Sequence, residues 1–144
     1  MKKNEKIKLF LVDDDAVTLK LMEIEFLQQT DFAIETFSTG ELCVANLDRH
    51  PDLIVLDYHL DGIQKNAMNG MQTLDKIKTF HPDIPVVMLS SQDKIEVAID
   101  CMHHKANDYV VKGETAFMRL KQIVKNILTY QNMQKELSWY MERM

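Results

Sequence analysis

Short apolar runs alternate with amphipathic helical patterns along the whole chain, and this alternation restricts the fold more than any other feature. We predict strands at 7–12, 32–37, 53–56, 84–89 and 108–111, and helices at 16–28, from about 38, at 71–80, at 95–102 and from 114 to the end. Strands that alternate with helices are typical of βαβ units, and buried parallel strands are continuously apolar. The pattern therefore predicts an α/β fold: a doubly wound five-stranded parallel sheet flanked by five helices, with an extended C-terminal helix.

Two local signals support the predicted helix boundaries. Ser38 and Glu41 have the spacing of a capping box, in which each side chain accepts from the other residue's backbone N–H, so a helix should begin there. His81 precedes Pro82, and a residue before proline is displaced from the helical region. The preceding helix should therefore end near residue 80.

Length and charge narrow the class of protein. A chain of 144 residues is the usual size of one domain, and its net charge of -5 argues against nonspecific binding of nucleic acid or of an anionic membrane surface by this segment. Cys43 and Cys101 lack the spacing of metal ligands. No apolar run approaches the ~20 residues of a membrane span, and the first residues lack the apolar segment of a signal peptide. We predict a cytoplasmic protein with reduced thiols.

Polar side chains follow all five predicted strands, although those after the second, Ser38 and Thr39, are expected only to cap a helix. Ligand sites in open parallel sheets form outside the carboxyl ends of the strands, so these residues should lie near one another. The first strand is followed by Asp13, Asp14 and Asp15, the third ends at Asp57, the fourth is followed by Ser90, and the fifth by Lys112.

The acidic residues predict a divalent cation site. Carboxylates gathered at one edge repel one another unless a cation or hydrogen-bond donors offset the repulsion. Mg²⁺ prefers oxygen ligands and often joins carboxylates to a phosphate. We therefore predict that Asp13, Asp14 and Asp57 bind Mg²⁺, and that Asp15 instead caps the first helix.

The same residues indicate phosphoryl transfer. An aspartate carboxylate can accept a phosphoryl group and form an acyl phosphate, which is the role we predict for Asp57. A lysine ammonium and a hydroxyl, here Lys112 and Ser90, are suited to contact phosphate oxygens. Catalysis then requires mainly positioning and charge neutralisation.

These motifs resemble the receiver domain of two-component response regulators. The matching segments are FLVDDD, PDLIVLD, VVMLSS and NDYVVK, and the resemblance covers roughly residues 7 to 128. It implies a flavodoxin-like (CheY-like) fold and a signalling phosphoacceptor that catalyses only its own phosphorylation and dephosphorylation. The partner it implies is a sensor histidine kinase or a histidine phosphotransfer protein.

The resemblance also implies a role for each site residue. Asp57 would be the phosphoacceptor, with Mg²⁺ held by Asp13, Asp14, Asp57 and the backbone carbonyl of His59. Ser90 and Lys112 would contact the phosphoryl group, and Ser90 and Tyr109 would form the conformational switch.

Two loops depart from the family pattern. Gly113 follows Lys112 where the family usually has a proline, often after a cis bond. After Asp57, Asp61 stands where a proline is usual, and Gly70 comes about five residues late, so we expect an insertion at about 62–67.

Two other interpretations remain open at this stage. Asp13-Asp14-Asp15-Ala16-Val17 also fits the D-x-D-x-V motif of haloacid-dehalogenase-type phosphatases, with Asp13 as nucleophile and Asp15 as general acid. That interpretation leaves Asp57 without a role and lacks a later acidic pair. A pseudo-receiver that acts only as an interaction module is the second, although no acid or lysine of the site is missing.

The last helix continues past the expected end of the receiver. Apolar residues recur every three or four positions, interrupted at Gln134, so we divide the chain into a receiver domain (1–128) and a helical extension (129–144). The extension is expected to form a homodimer seam or a signalling helix to an output domain; the alternative is a helix packed on the sheet with a frayed tail. The recurring residues are Leu120, Ile123, Ile127, Tyr130, Leu137, Met141 and Met144.

Overall fold

A computed structural model describes residues 6–29, 31–63 and 65–144, and in this part of the chain five strands alternate with five α-helices. The strands are β1 (Ile7–Val12), β2 (Phe32–Phe37), β3 (Leu53–Asp57), β4 (Val86–Ser90) and β5 (Asp108–Val111). The helices are α1 (Ala16–Leu27), α2 (Gly40–Ala45), α3 (Gly70–Phe80), α4 (Ile95–His103) and α5 (Ala116–Glu142); a 3-10 turn (Leu47–Arg49) follows α2.

All strand pairs are parallel, in the order β2-β1-β3-β4-β5, which confirms the predicted doubly wound fold. Val12 is paired with Leu56, so the residues that follow them in β1 and β3 come level at the carboxyl edge. Asp57 is paired with Leu89, and Ser90 with Val111. The strand order changes direction between β1 and β3, which is where sites form in such sheets.

Both faces of β3, β4 and the second half of β1 are buried, which explains why these segments are apolar without alternation. In β1, Phe10 and Val12 pack toward α2, α3 and α4, whereas Leu9 and Leu11 pack toward α1 and α5. All four side chains are fully buried. Burial of a side chain of this size contributes about 1.5–3 kcal/mol, so the central strands form a rigid base for the loops at their ends.

The predicted capping box at Ser38 and Glu41 is wrong. Thr39 is the N-cap of α2, and its hydroxyl accepts from the backbone N–H of Leu42 at 3.1 Å. The carboxylate of Glu41 instead accepts from the backbone N–H of Met68 at 2.9 Å. Glu41 therefore ties α2 to the loop before α3, a contact 27 residues away in sequence that local spacing does not reveal.

A capping box that the sequence analysis missed begins α3. The side chain of Asn69 accepts from the backbone N–H of Gln72 at 2.8 Å, and the side chain of Gln72 accepts from that of Asn69 at 3.0 Å. Asn and Gln fit this motif as well as the more familiar Ser and Glu. The helix consequently begins at Gly70, one residue earlier than predicted.

Strand β4 begins two residues later than predicted. The backbone N–H of Ile84 donates to the carbonyl of His81 in a turn at 3.2 Å, and Pro85 has no N–H to donate. Val86 is the first residue of the strand.

Helix α5 continues without interruption past residue 128 and ends at Glu142. Leu120 and Val124 are buried in the core, and Ile127 packs partly against it. Tyr130 and Leu137 are 62% and 60% exposed. The stripe predicted from the sequence is therefore divided between the domain core and an exposed surface.

Gly70 brings the start of α3 against the end of β3. A Cβ atom at this position would lie 2.4 Å from the carbonyl oxygen of Asp57 and 2.6 Å from the Cα of Tyr58. Both are backbone atoms, which cannot rotate away. Glycine is thus required here by close approach, next to the candidate site.

We expect Gly70→Ala to lower the free energy of unfolding by about 1–3 kcal/mol, because overpacking against backbone forces a shift of the main chain. Gly113→Ala is the matched control, since a Cβ there meets no atom within 4 Å. Its effect should be small or stabilising by about 0.4–1 kcal/mol, from reduced freedom of the unfolded chain. Urea unfolding measures both, and equal destabilisation would contradict the packing argument.

Candidate functional site

Three carboxylates meet at the carboxyl edge of the sheet. Asp13 follows β1 and is fully buried, Asp57 ends β3 and is 2% exposed, and Asp14 is half-buried. One oxygen from each can be chosen so that all lie within 4.8 Å of one another. The neighbouring positions of β1 and β3 explain this convergence, as expected from the strand ends.

Backbone N–H groups orient each carboxylate. Asp13 accepts from the N–H of Asp15 at 2.9 Å, and Asp57 accepts from the N–H of His59 at 3.3 Å. Asp14 accepts from the N–H of Gly62 at 3.2 Å. These donors hold the oxygens in place without neutralising their charge.

Asp15 lies at the edge of this cluster and has a different task. Its carboxylate accepts from the backbone N–H of Val17 at 3.2 Å and from the hydroxyl of Thr18 at 2.7 Å. These bonds make it the N-cap of α1, as predicted. The hydroxyl of Thr18, with the N–H of Val17, lowers the pKa of Asp15.

Lys112 supplies the positive charge. Its Nζ lies 3.2 Å from Oδ1 of Asp57 and 3.5 Å from Oδ2 of Asp13. The backbone N–H of Lys112 donates to the carbonyl of Ser90 at 2.7 Å, which positions the residue just beyond β5. Its own burial lowers the pKa of Lys112, but the two carboxylates outweigh this and raise it.

The cluster has more negative charge than Lys112 can offset. Burial, together with the nearby Asp57 charge, raises the pKa of Asp13 to about 7, although the N–H of Asp15 and Lys112 oppose the shift. Burial also raises the pKa of Asp57, against the influence of Lys112. Three oxygen donors and surplus negative charge are what a hard divalent cation requires. The residues present therefore fit Mg²⁺.

Ser90 lies at the same edge, one position beyond the level of Asp57 on the neighbouring strand. It is fully buried, and its Oγ accepts from the backbone N–H of Gln92 at 3.0 Å. A hydroxyl that accepts one bond still has its own proton to donate. The next residue, Ser91, is exposed.

Tyr109 is connected to the same loop. Its hydroxyl donates to the carbonyl of Gln92 at 2.6 Å, and burial raises the pKa of this hydroxyl. The ring packs in the core layer that contains Cys101 and Ala106, not against α5. Gln92 thus links Ser90 and Tyr109 through its two backbone groups.

Gly62 and Gln92 are site residues that the sequence analysis missed. Both act through backbone atoms, and Gly62 contacts Asp14 across 48 residues, so neither has a recognisable signal in the sequence.

Of the insertion predicted at 62–67, Gln64 lies outside the described residues, as do residues 1–5 of the predicted receiver domain. Peptide bonds in the described ranges are trans, including that between Lys112 and Gly113. The assignment of the His59 carbonyl as a metal ligand stays a prediction.

Comparison with known proteins gives a consistent answer. The family described as response regulator receiver domain matches residues 9–125. The luminescence regulatory protein LuxO of Vibrio campbellii is 29% identical over 116 residues, which are 80% of this chain and 24% of that protein. The chain thus spans only a minor part of the curated relatives that it matches.

Solved structures agree with this match. NtrX from Brucella abortus superposes with a TM-score of 0.80 at 28% identity, covering 95% of this chain and 30% of that one. CheY of Borrelia burgdorferi, solved in a CheX-CheY-BeF3-Mg²⁺ complex, superposes with a TM-score of 0.76 at 25% identity, covering 86% of this chain and 90% of that one.

Among the described residues, no helix has the length and apolar character needed to span a membrane.

The raised pKa of Asp13 predicts how stability depends on pH without divalent cations. Since the folded-state pKa (about 7) exceeds the ordinary 3.8, the contribution of this group is fully present below pH 3.8 and is lost as the pH rises through about 7. We expect Asp13→Asn to stabilise the cation-free protein at pH 8 by roughly 1–3 kcal/mol.

Thermal unfolding in EDTA at pH 5 and pH 8 measures this effect. The matched control is Asp100→Asn, at an exposed position on α4, which should change neither value appreciably. Added Mg²⁺ should raise the Tm of the unmodified protein more than that of Asp13→Asn, because binding to the folded state alone stabilises it. A Tm for Asp13→Asn that equals or falls below that of the unmodified protein at pH 8 would contradict the charge argument.

Proposed function

The chain belongs to the response regulator receiver domain family, and on that premise we propose that Asp57 accepts a phosphoryl group from a sensor histidine kinase or histidine phosphotransfer protein in the presence of Mg²⁺. Phosphorylation would then switch the conformation that controls an output. The observation that carries the proposal is the position of Asp57, a buried carboxylate at the strand end with the Lys112 ammonium at 3.2 Å and two further acids beside it.

In the proposed reaction, a carboxylate oxygen of Asp57 attacks the phosphorus of a phosphohistidine. The new O–P bond forms as the N–P bond of the donor breaks, and the electron pair of that bond returns to the imidazole nitrogen. Asp57 must be ionised to attack, and Lys112 favours its ionised form. The reaction thus needs no further general base for this nucleophile.

The cation would be held by Asp13, Asp14, Asp57 and the backbone carbonyl of His59. When bound, it offsets the negative charge of the carboxylates and of the phosphoryl oxygens. The similar CheY structure was solved in a complex that contains Mg²⁺ and BeF3, which supports Mg²⁺ as the cation. Asp13 and Asp14 would contribute oxygen ligands, and the bound cation would offset the cost of holding their charges beside Asp57.

Lys112 and Ser90 would contact the phosphoryl oxygens. The Nζ of Lys112 already lies against Oδ1 of Asp57 and would donate a hydrogen bond to a phosphoryl oxygen once that group is attached. The Ser90 proton would be donated to a phosphoryl oxygen, which requires the side chain to move toward Asp57.

Movement of Ser90 would be transmitted by Gln92. The N–H of Gln92 is bonded to Ser90, and its carbonyl is bonded to Tyr109 at 2.6 Å, so displacement of the loop would release or turn the Tyr109 ring. Helix α4 begins at Ile95, shortly after this loop. Its outer face exposes Ile95, Ile99 and Met102, an apolar surface through which the change could reach an output partner.

Helix α1 offers a docking surface for the phosphodonor. It begins directly after the acidic cluster and exposes Val17, Leu21 and Ile24 at helical spacing, whereas Met22 and Phe26 fill the core. An exposed apolar stripe next to the reactive edge suits a partner helix that presents a phosphohistidine.

The other interpretations have weaker support. Asp15 is occupied as the cap of α1, which counts against its use as the general acid of a haloacid-dehalogenase-type phosphatase. The complete set of acids, hydroxyl and lysine counts against a pseudo-receiver. Covalent phosphorylation tests all three interpretations.

We expect a small phosphodonor with Mg²⁺ to add one phosphoryl group to the protein and none to Asp57→Asn, because an amide cannot form the acyl phosphate. Intact mass spectrometry measures the product. Asp61→Asn, an exposed acid in the following loop, is the control and should be phosphorylated normally. Phosphate that persists on Asp13 in Asp57→Asn would favour the phosphatase, and an unmodified wild type would favour the pseudo-receiver.

We also expect Ser90→Ala to slow phosphorylation of Asp57 by roughly 10- to 100-fold, because one hydrogen bond to a charged group contributes about 1.5–3 kcal/mol. Ser91→Ala is the matched control at the exposed neighbouring serine. Stopped-flow kinetics with the same phosphodonor compares them. Equal rates for the two variants would remove Ser90 from the proposed mechanism.

A further inference from the structure

The part of α5 beyond residue 128 presents an apolar stripe that its own domain does not cover. The stripe, here called the distal stripe, consists of Tyr130, Met133, Leu137 and Tyr140; Met144 follows after the helix has ended at Glu142. Each stripe residue is at least 60% exposed. Their separations of three, four and three residues place them along one side of the helix.

The distal stripe is not a continuation of the side that packs on the sheet. Leu120 and Val124 mark the packed side, and polar residues follow them along the same side of the helix. There a groove of about 530 Å³ separates α5 from the amino edge of the sheet, and its lining includes Gln131, Gln134 and Ser138. With a rotation of about 100° per residue, the distal stripe lies roughly 100° around the helix from this groove.

An exposed apolar stripe of this kind is stabilised when a second helix packs against it. A segment of about 15 residues is marginal as an isolated helix in water, and a 3-4 apolar spacing is the seam of a helix pair. The charged residues of the segment all lie off the stripe; they are Lys135, Glu136, Glu142 and Arg143. The stripe therefore offers no charge to a partner with a hydrophilic face, and an apolar partner is favoured.

We propose that the distal stripe pairs in antiparallel orientation with the same stripe of a second copy of this chain. Glu136 and Arg143 flank the stripe on the same edge, seven residues apart. In an antiparallel pair with Leu137 near its centre, Glu136 of each copy comes opposite the partner's Arg143, which gives two symmetric ion pairs. In a parallel pair in register, Glu136 instead lies opposite the partner's uncharged Met141 and gains no ion pair.

The dimer is independent of the proposed phosphorylation. Helix α5 begins after β5 at the carboxyl edge, where Asp57 lies, and its extension passes the opposite edge near Pro51 and Pro85. The distal stripe is therefore remote from Asp57. Failure of phosphorylation and failure of dimerisation are separate results.

Sedimentation equilibrium of the full chain tests the pairing. We expect a dimer for the unmodified protein and at least a tenfold higher Kd for Leu137→Asp, which places a charge at the centre of the stripe. Asn132→Asp introduces the same charge at an exposed position on another side of the helix and should leave the Kd unchanged. Circular dichroism checks that both variants remain folded. A monomeric unmodified protein, or equal Kd values for the two variants, would overturn the proposal.

Charge exchange tests the orientation. Glu136→Arg and Arg143→Glu should each raise the dimer Kd severalfold, because like charges then face each other across the pair. The double variant E136R/R143E should return the Kd close to that of the unmodified protein. Single variants that bind as tightly as the unmodified protein would contradict the antiparallel arrangement.

Discussion

The concentration of carboxylates at one edge of the sheet is the constraint on which the rest of the site depends. Asp13 and Asp57 are both buried and close together; burial raises the pKa of each, and the charge of Asp57 further disfavours ionisation of Asp13. Lys112 and three backbone N–H groups offset only part of this repulsion. The same surplus of negative charge suits this edge to a divalent cation.

The loop between β4 and α4 connects Ser90 to Tyr109, so a movement of Ser90 would also displace a hydrogen-bond partner of Tyr109. Gln92 is bonded to Ser90 at one backbone group and to Tyr109 at the other. Ser90 is buried at the reactive edge, whereas Tyr109 packs in the layer formed with α3 and α4. Through its backbone alone, Gln92 thus joins the site to the core layer that contains Tyr109 and α4.

Helix α5 combines two environments in one continuous element. Its first part contributes Leu120 and Val124 to the core and fixes the helix to the sheet, and its last part projects an apolar stripe beyond the domain. Since the two apolar faces differ in direction, the domain can remain intact while the extension binds another helix. Phosphoacceptor chemistry and self-association would then occupy opposite edges of the molecule.

The sequence by itself determined the α/β class, the positions of the strands and the residues at their ends. These features are local: a buried parallel strand must be apolar, and the first polar residue after an apolar run marks the end of the strand. Asp15 as a helix cap was predictable for the same reason, because the cap bonds residues two and three positions away.

Only the tertiary structure decided the contacts between distant segments. It showed that Glu41 bonds the loop before α3, that Gly62 donates to Asp14, and that α1 turns Met22 and Phe26 inward while Val17 and Leu21 stay exposed. Helix α1 is apolar on all sides, so periodicity could not select its buried face. Backbone donors such as Gly62 are present at every residue except proline, and only the folded geometry determines which of them reaches the site.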